Sequence, residues 1–292
     1  PMDKQVDQVQ IQPLSFDTYY VATDGSDSND GLALTRPFLT IQKGIDSLDP
    51  GDTLLIRGGT YTAGASRNLS AGGADNLIRI RNYNGENVII STADTLSGWT
   101  SLGGNQYQSA TIQIGTSFNT TAYAVWKDTT ILQKATTPSV ENDVKVTSAG
   151  SGNYYFTIYS TTDPSLSVYR MTSAGGTKSY TALKFEGSYF ELTGINCIYN
   201  YMGITLGALT NTHTHHFTVQ DCEISYSASR GFNISQGPSF PVSYGTISRV
   251  TVHHTSNSWV EDTSQRGFKF SADVDLTING TYVTLEDCVS YS

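Results

Sequence analysis

Three cations in the last third of the chain have the residue types and spacing to do chemistry. Lys269 lies in Gly267-Phe268-Lys269-Phe270, and Arg266 directly precedes it. Two earlier segments share the pattern: Gly203-Ile204-Thr205-Leu206 after Met202, and Gly231-Phe232-Asn233-Ile234 after Arg230. Alternate side chains of a strand point to opposite faces. The apolar pair of each segment then faces a core. Thr205, Asn233 and Lys269 face outward at matching positions, and Arg230 and Arg266 share a second matching position. A lysine and two arginines in one register favour an anionic ligand, because arginine grips a carboxylate through its bidentate fork.

Such a register needs a repeating scaffold, and the sequence supplies one. The pattern Φ-x-x-Φ-x-Φ recurs at Leu192/Ile195/Cys197, Val219/Cys222/Ile224, Ile247/Val250/Val252 and Leu285/Cys288/Ser290. Successive starts are 27, 28 and 38 residues apart, the signature of a solenoid with one coil per repeat. Gly194, Asp221, Arg249 and Asp287 fall in the tight turn between the first two strands of a coil. Gly and Asp tolerate left-handed backbone there, so Asp221 and Asp287 read as turn residues rather than catalytic acids. Cys222 and Cys288 share a register two coils apart, about 10 Å, beyond disulfide reach. All three cysteines therefore read as free core thiols.

Loops lengthen around the Gly-Φ-x-Φ strand. The gap before it grows from 7 to 8 to 16 residues, through "TSNSWVEDTSQ". "SQGPSFPVSYG" and "SADVDLTINGTY" follow it. Long loops beside one strand of a stiff scaffold build a groove, to which His253 and Trp259 contribute. Glu261, Asp262, Asp273 and Asp275 lie in these loops. They suit Ca²⁺, with Asp262 and Asp273 as the ligands we single out, or the acid and base of a glycoside hydrolase, or plain solvation. "NTHTHHF" reads as a polar strand start rather than a zinc site.

Composition narrows the partners. Lys and Arg number 17 against 26 Asp and Glu, a net charge of −9. Nucleic acid is not expected as a partner, nor is a membrane, since no apolar run or polybasic patch is present. The start at Pro1 fits a processed chain. The stop at "LEDCVSYS" falls in mid-repeat, so a C-terminal continuation or a second chain is expected to complete the stack.

"YYVATDGSDSNDG…RPFLTIQKGIDSLDPGDTLLIRGGTY" (Tyr19 to Tyr61) opens on a strand and a polar turn. A helix over Phe38–Leu48, begun at Pro37, follows with Phe38, Ile41, Ile45 and Leu48 as its apolar stripe. "DPGD" ends it, and strands Thr53–Ile56, Leu77–Ile80 and Val88–Ile90 come next. This order resembles the N-terminal end of the pectate-lyase-like superfamily of secreted carbohydrate-active enzymes. The resemblance implies an all-β, right-handed parallel β-helix whose open end the helix caps. Residues 1–18 form an extension, 19–95 the helix and first coils, and 181–292 later coils. Residues 96–180 break the period and read as an inserted antiparallel flap around Trp99, Trp126 and Tyr155.

The resemblance further implies a secreted lyase acting on an acidic polysaccharide. β-Elimination of a uronate requires that the carboxylate be neutralised, the C5 proton removed and the leaving oxygen stabilised. In lyases of this fold a lysine or arginine of lowered pKa serves as base, with Ca²⁺ often sharing the first task. Lys269 then matches the base, and Arg266 and Arg230 hold carboxylate, with Asn233, Thr205, His253 and Trp259 lining the groove. A hydrolase, or a non-catalytic adhesin or tailspike-like binder, remains open on the same scaffold.

Overall fold

Three columns of short parallel strands run through the chain. The computed structural model describes residues 15–70, 73–175, 180–207, 212–234, 242–255, 268–270 and 283–291. The first column stacks Thr18–Val21, Thr53–Ile56, Ile78–Asn82, the second half of Thr181–Thr193, Thr214–Gln220, Val242–Ser248 and Val283–Glu286. The second stacks Gly59–Tyr61, Val88–Ile90, Ile195–Ile198, Glu223–Ser225, Thr251–His253 and Val289–Tyr291. The third stacks Ala65–Ser70, the first half of Thr181–Thr193, Met202–Leu206, Arg230–Ile234 and Phe268–Phe270. The columns close on one apolar core that includes Val21, Phe190, Val219, Ile224 and Phe232.

The repeat positions stack as the spacing predicts. Leu192 pairs with Val219, Val219 with Ile247 and Ile247 with Leu285. The turn residues Gly194, Asp221, Arg249 and Asp287 all have positive φ, at 72°, 55°, 50° and 51°. Arg249 answers Asp221 with two hydrogen bonds from its guanidinium, of 2.6 and 2.8 Å. Two further corners also use left-handed residues, here aromatic. Tyr189, His216 and Tyr244 stack at 4.7 and 5.1 Å, and Tyr199, Tyr226 and His254 at 4.9 and 5.0 Å. A non-glycine residue in this region costs about 1–2 kcal/mol. A ring pair contributes about 0.5–1.5 kcal/mol, so stacking offsets much of the corner strain.

The helix is shorter than the apolar stripe predicts. It spans Ile41–Asp46, with Thr40 as N-cap, and packs against Thr18–Val21, Thr53–Ile56 and Ala65–Ser70. Pro37 lies outside it, and Phe38 bridges to Val21. Asp27 is the reason: its carboxylate accepts from the Leu39 and Thr40 amides and the Thr40 hydroxyl, which holds residues 38–40 out of the helix. Among the described residues this is the only α-helix.

Between Asp94 and Ser173 the columns are interrupted and the pairing is antiparallel, apart from Gln133–Lys134 beside Asp143–Gly150. Tyr123–Lys127 pairs antiparallel with Thr130–Ile131 and Tyr169–Ser173. Asp143–Gly150, Asn153–Tyr159, Gln106–Gln108 and Thr100–Gly103 form a second antiparallel sheet. These sheets share their own core of Leu96, Val125, Phe156, Ile158 and Met171.

Cys197, Cys222 and Cys288 are free thiols. Burial pushes Cys222 up to about 12 and raises Cys197 well above the usual thiol value. Cys288 is only half-buried. A thiol reagent should therefore modify Cys288 first in the native protein and count three thiols after unfolding without reductant. A count of one would mean a disulfide and contradict this packing.

Candidate functional site

The outer face of the third column carries the polar row. Ser66 pairs with Lys184, Lys184 with Thr205, Thr205 with Asn233, and Asn233 with Lys269. Leu183, Phe185, Ile204, Leu206, Phe232 and Ile234 alternate with this row and fill the core. Arg230 pairs with Met202, three residues before the Thr205–Asn233 pair and so about 10 Å along the strand, and is half-buried. The register thus brings Thr205, Asn233, Lys269 and Arg230 to one column.

The row is less open than strand alternation alone predicts. Thr205 and Asn233 are only 2% and 5% exposed, so they form a covered floor instead of a solvated face. The Thr205 hydroxyl is buried without a hydrogen-bond partner among the described residues. Lys269 joins the row by the backbone register of Phe268–Phe270. Arg266, Trp259, Asp262 and Asp273, with Glu261 and Asp275, lie outside the described residues.

His253 belongs to a different sheet. It ends the second-column strand Thr251–His253, where its Nε2 lies 2.9 Å from Glu223 Oε1 and its Nδ1 2.6 Å from His254 Nδ1. The register therefore separates it from the Lys184–Lys269 row. In "NTHTHHF", His213 Nε2 lies 2.8 Å from the Ser243 hydroxyl and His215 Nδ1 2.7 Å from His216 Nδ1. Burial lowers the pKa of both His213 and His215. No group of three or more His, Cys, Asp or Glu among the described residues could hold a metal ion.

Sequence reasoning missed Lys184. Its segment, Leu183-Lys184-Phe185, has the Φ-x-Φ pattern but lacks the leading glycine that marks the other strands of this column. It sits within a single 13-residue strand, Thr181–Thr193, that serves two columns without a break. Gly187 lets that strand turn the corner with φ 112°, and a Cβ there would meet the Leu69 carbonyl oxygen at 2.3 Å.

Lys184 lines a cavity of about 360 Å³ together with Gln42, Ser66, Thr181 and Met202. The Gln42 amide ties the helix wall to Ser66, accepting from its N–H at 2.9 Å and donating to its carbonyl at 3.1 Å. Two residues beyond Lys184, the fully buried Glu186 accepts from the Thr212 amide at 2.5 Å.

The inserted sheets dock on a corner of the columns through Trp126. Trp126 is 1% exposed and packs with Ala124 and Ala228, edge-on to Tyr199 at 5.6 Å. The Arg170 guanidinium covers Tyr199 at 4.6 Å, and the Tyr199 hydroxyl donates to the Asp128 carbonyl at 2.8 Å. Trp126 is thus a docking residue. Its corner lies two residues before Arg230.

No family model matches the chain. Pectate lyase PEL9 of Emericella nidulans is 39% identical over 72 residues, which cover 24% of this chain and 17% of that protein. The uncharacterized protein YwoF of Bacillus subtilis is 38% identical over 78 residues, covering 26% and 16%. The structure of XylC in complex with xylose superposes with a TM-score of 0.63 at 13% identity, over 93% of this chain and 58% of that one. The resemblance to pectate-lyase-like proteins therefore stands, in sequence over about a quarter of the chain. The likeness to XylC is one of fold. The chain matches only a small part of its curated relatives and under two thirds of XylC.

Trp126→Ala should loosen the insertion without disturbing the columns. Large-to-small core changes of this kind cost about 3–5 kcal/mol. Hydrogen exchange should rise in Tyr123–Lys127 and around Tyr199 while Val219 and Ile247 stay protected. Unchanged protection at Tyr123–Lys127 would show that this contact does not hold the insertion.

Proposed function

We propose that the chain is a secreted polysaccharide lyase, built on a right-handed parallel β-helix, that cleaves an acidic glycan by β-elimination. The three parallel columns support the β-helix, and Ile41–Asp46 packs against strands of its first part. One observation carries the chemistry: Lys269 follows Asn233 in register on the same column as Arg230. A lysine as base and an arginine on the same column to neutralise a carboxylate are the groups that elimination next to a uronate carboxyl requires. The partial match to a pectate lyase supports the same substrate class.

In this reading Arg230 and Arg266 hold the uronate carboxylate and so acidify the C5 proton. Lys269 takes that proton, the C4–O bond breaks, and a C4–C5 double bond remains on the new end. Asn233 and Thr205 form the floor beneath the sugar. Asp262 and Asp273 are the residues that would hold Ca²⁺, which would share the neutralisation of the carboxylate.

Incubation with a panel of uronate polysaccharides tests the reading. The unsaturated product should absorb in the near ultraviolet, and Lys269→Ala should lower turnover by roughly 10²–10⁴-fold. Substrate binding should change little, since a base acts mainly in the transition state. New reducing ends without absorbance would replace the lyase by a hydrolase. Full activity in Lys269→Ala would overturn the base assignment.

A further inference from the structure

The third column holds a second cation that the proposed elimination does not use. Lys184 is separated from Lys269 by three inter-strand steps, hence roughly 14 Å. The two lysines therefore attach to the column at well-separated places. Lys184 is half-buried and lines the 360 Å³ cavity. Among the described residues it makes no ion pair or hydrogen bond. Lys127, by contrast, reaches Glu141 at 2.8 Å.

A cation drawn partly out of water without a partner loses hydration and receives nothing in return. The next carboxylate on the same face, Glu186, is two residues on, about 7 Å along the strand, and its Oε1 is already bound to the Thr212 amide. The neighbours of Lys184 across the sheet are both hydroxyls. Ser66 lines the cavity on one side. On the other, Thr205 is 98% buried, and its Oγ1 has no partner among the described residues. The Lys184 ammonium, with the Ser66 hydroxyl on the adjacent strand of the same cavity, presents donors suited to the oxygens of one carboxylate. The Gln42 amide is engaged by Ser66 and Asp46, so it does not compete for that ligand. Met202 offers apolar surface for a sugar ring.

We propose that Lys184, with Ser66 beside it, forms a carboxylate-binding subsite for an acidic sugar unit of a chain that continues along the column from Lys269. The inference rests on the acidic-glycan reading and adds a contact that binds without taking part in bond cleavage. Lys184 is a positioning residue and exchanges no proton with the substrate.

Calorimetric titration of the whole chain with uronate tetramers, galacturonate and mannuronate, tests this. The fully methyl-esterified galacturonate tetramer serves as the neutral control. The parent should bind one of the acidic tetramers. Lys184→Gln should weaken that binding by about 10- to 100-fold, the worth of a hydrogen bond to a charged group. Lys184→Arg should restore most of it, and binding of the ester should be unaffected by Lys184→Gln. In the parent protein, the acidic tetramer should also shield Lys184 from acetylation read by mass spectrometry, which requires no variant to fold. If Lys184→Gln loses acid binding while no uronate polymer is ever cleaved, the subsite stands and the lyase reading falls. Equal binding by parent and Lys184→Gln, no shielding of Lys184, or no binding of either acidic tetramer would overturn the subsite.

Discussion

Parallel register between successive coils is the constraint on which the rest depends. Main-chain hydrogen bonds set neighbouring strands about 4.8 Å apart, and a slip of one residue would exchange the two faces. Such a slip in the third column would turn Lys184, Thr205 and Asn233 into the core and expose Leu183, Ile204 and Phe232. The corners prevent it. Each is marked by a left-handed residue, and in two of them that residue is a ring stacked on the ring of the next coil. The first column adds a steric lock. Phe190 stacks on Phe217 at 5.8 Å, and Gly245 leaves room for the Phe217 ring, which a Cβ there would meet at 2.1 Å.

A column fixed in this way behaves as a ruler. Side chains one coil apart fall at a set spacing, and chemistry follows from which residue type each coil contributes. The row runs serine, lysine, threonine, asparagine, lysine. The chain as a whole is acidic, yet this does not prevent an anionic ligand from binding here. Charges are screened over about 8 Å at physiological ionic strength, so a carboxylate at Lys184 responds to that lysine more than to the overall charge of −9. Gln42 of the helix lines the cavity beside Lys184, and the insertion docks through Trp126 against Ala228 and Tyr199.

Much of this was legible in the sequence because the repeat is local in two senses. The inward Φ positions recur at nearly constant spacing, and the turn between the first two strands is marked by Gly or Asp in three of four coils. Those signals give the stacking of Leu192, Val219, Ile247 and Leu285 and the pairing of Thr205, Asn233 and Lys269. Other features depend on contacts that a sequence does not display. The shortened helix follows from Asp27 reaching across twelve residues to the Leu39 amide. The aromatic corners escaped notice because tyrosine and histidine are not turn formers, and only stacking makes them suitable. Lys184 was hidden because its strand lacks the leading glycine and runs on into another column. The covering of Thr205 and Asn233 is tertiary, since alternation predicts which face a side chain takes and says nothing about what lies above it.

Paired cysteines in the third column measure the register directly. Adjacent coils bring Asn233 and Lys269 about 4.8 Å apart, within the 4.4–6.8 Å range of a disulfide. Thr205 and Lys269 lie two coils apart, about 10 Å, outside it. Mild oxidation of native Asn233→Cys/Lys269→Cys should form an intramolecular disulfide in high yield, and Thr205→Cys/Lys269→Cys should not. Cross-linking of the second pair, or none in the first, would contradict the stacked column on which the site is built.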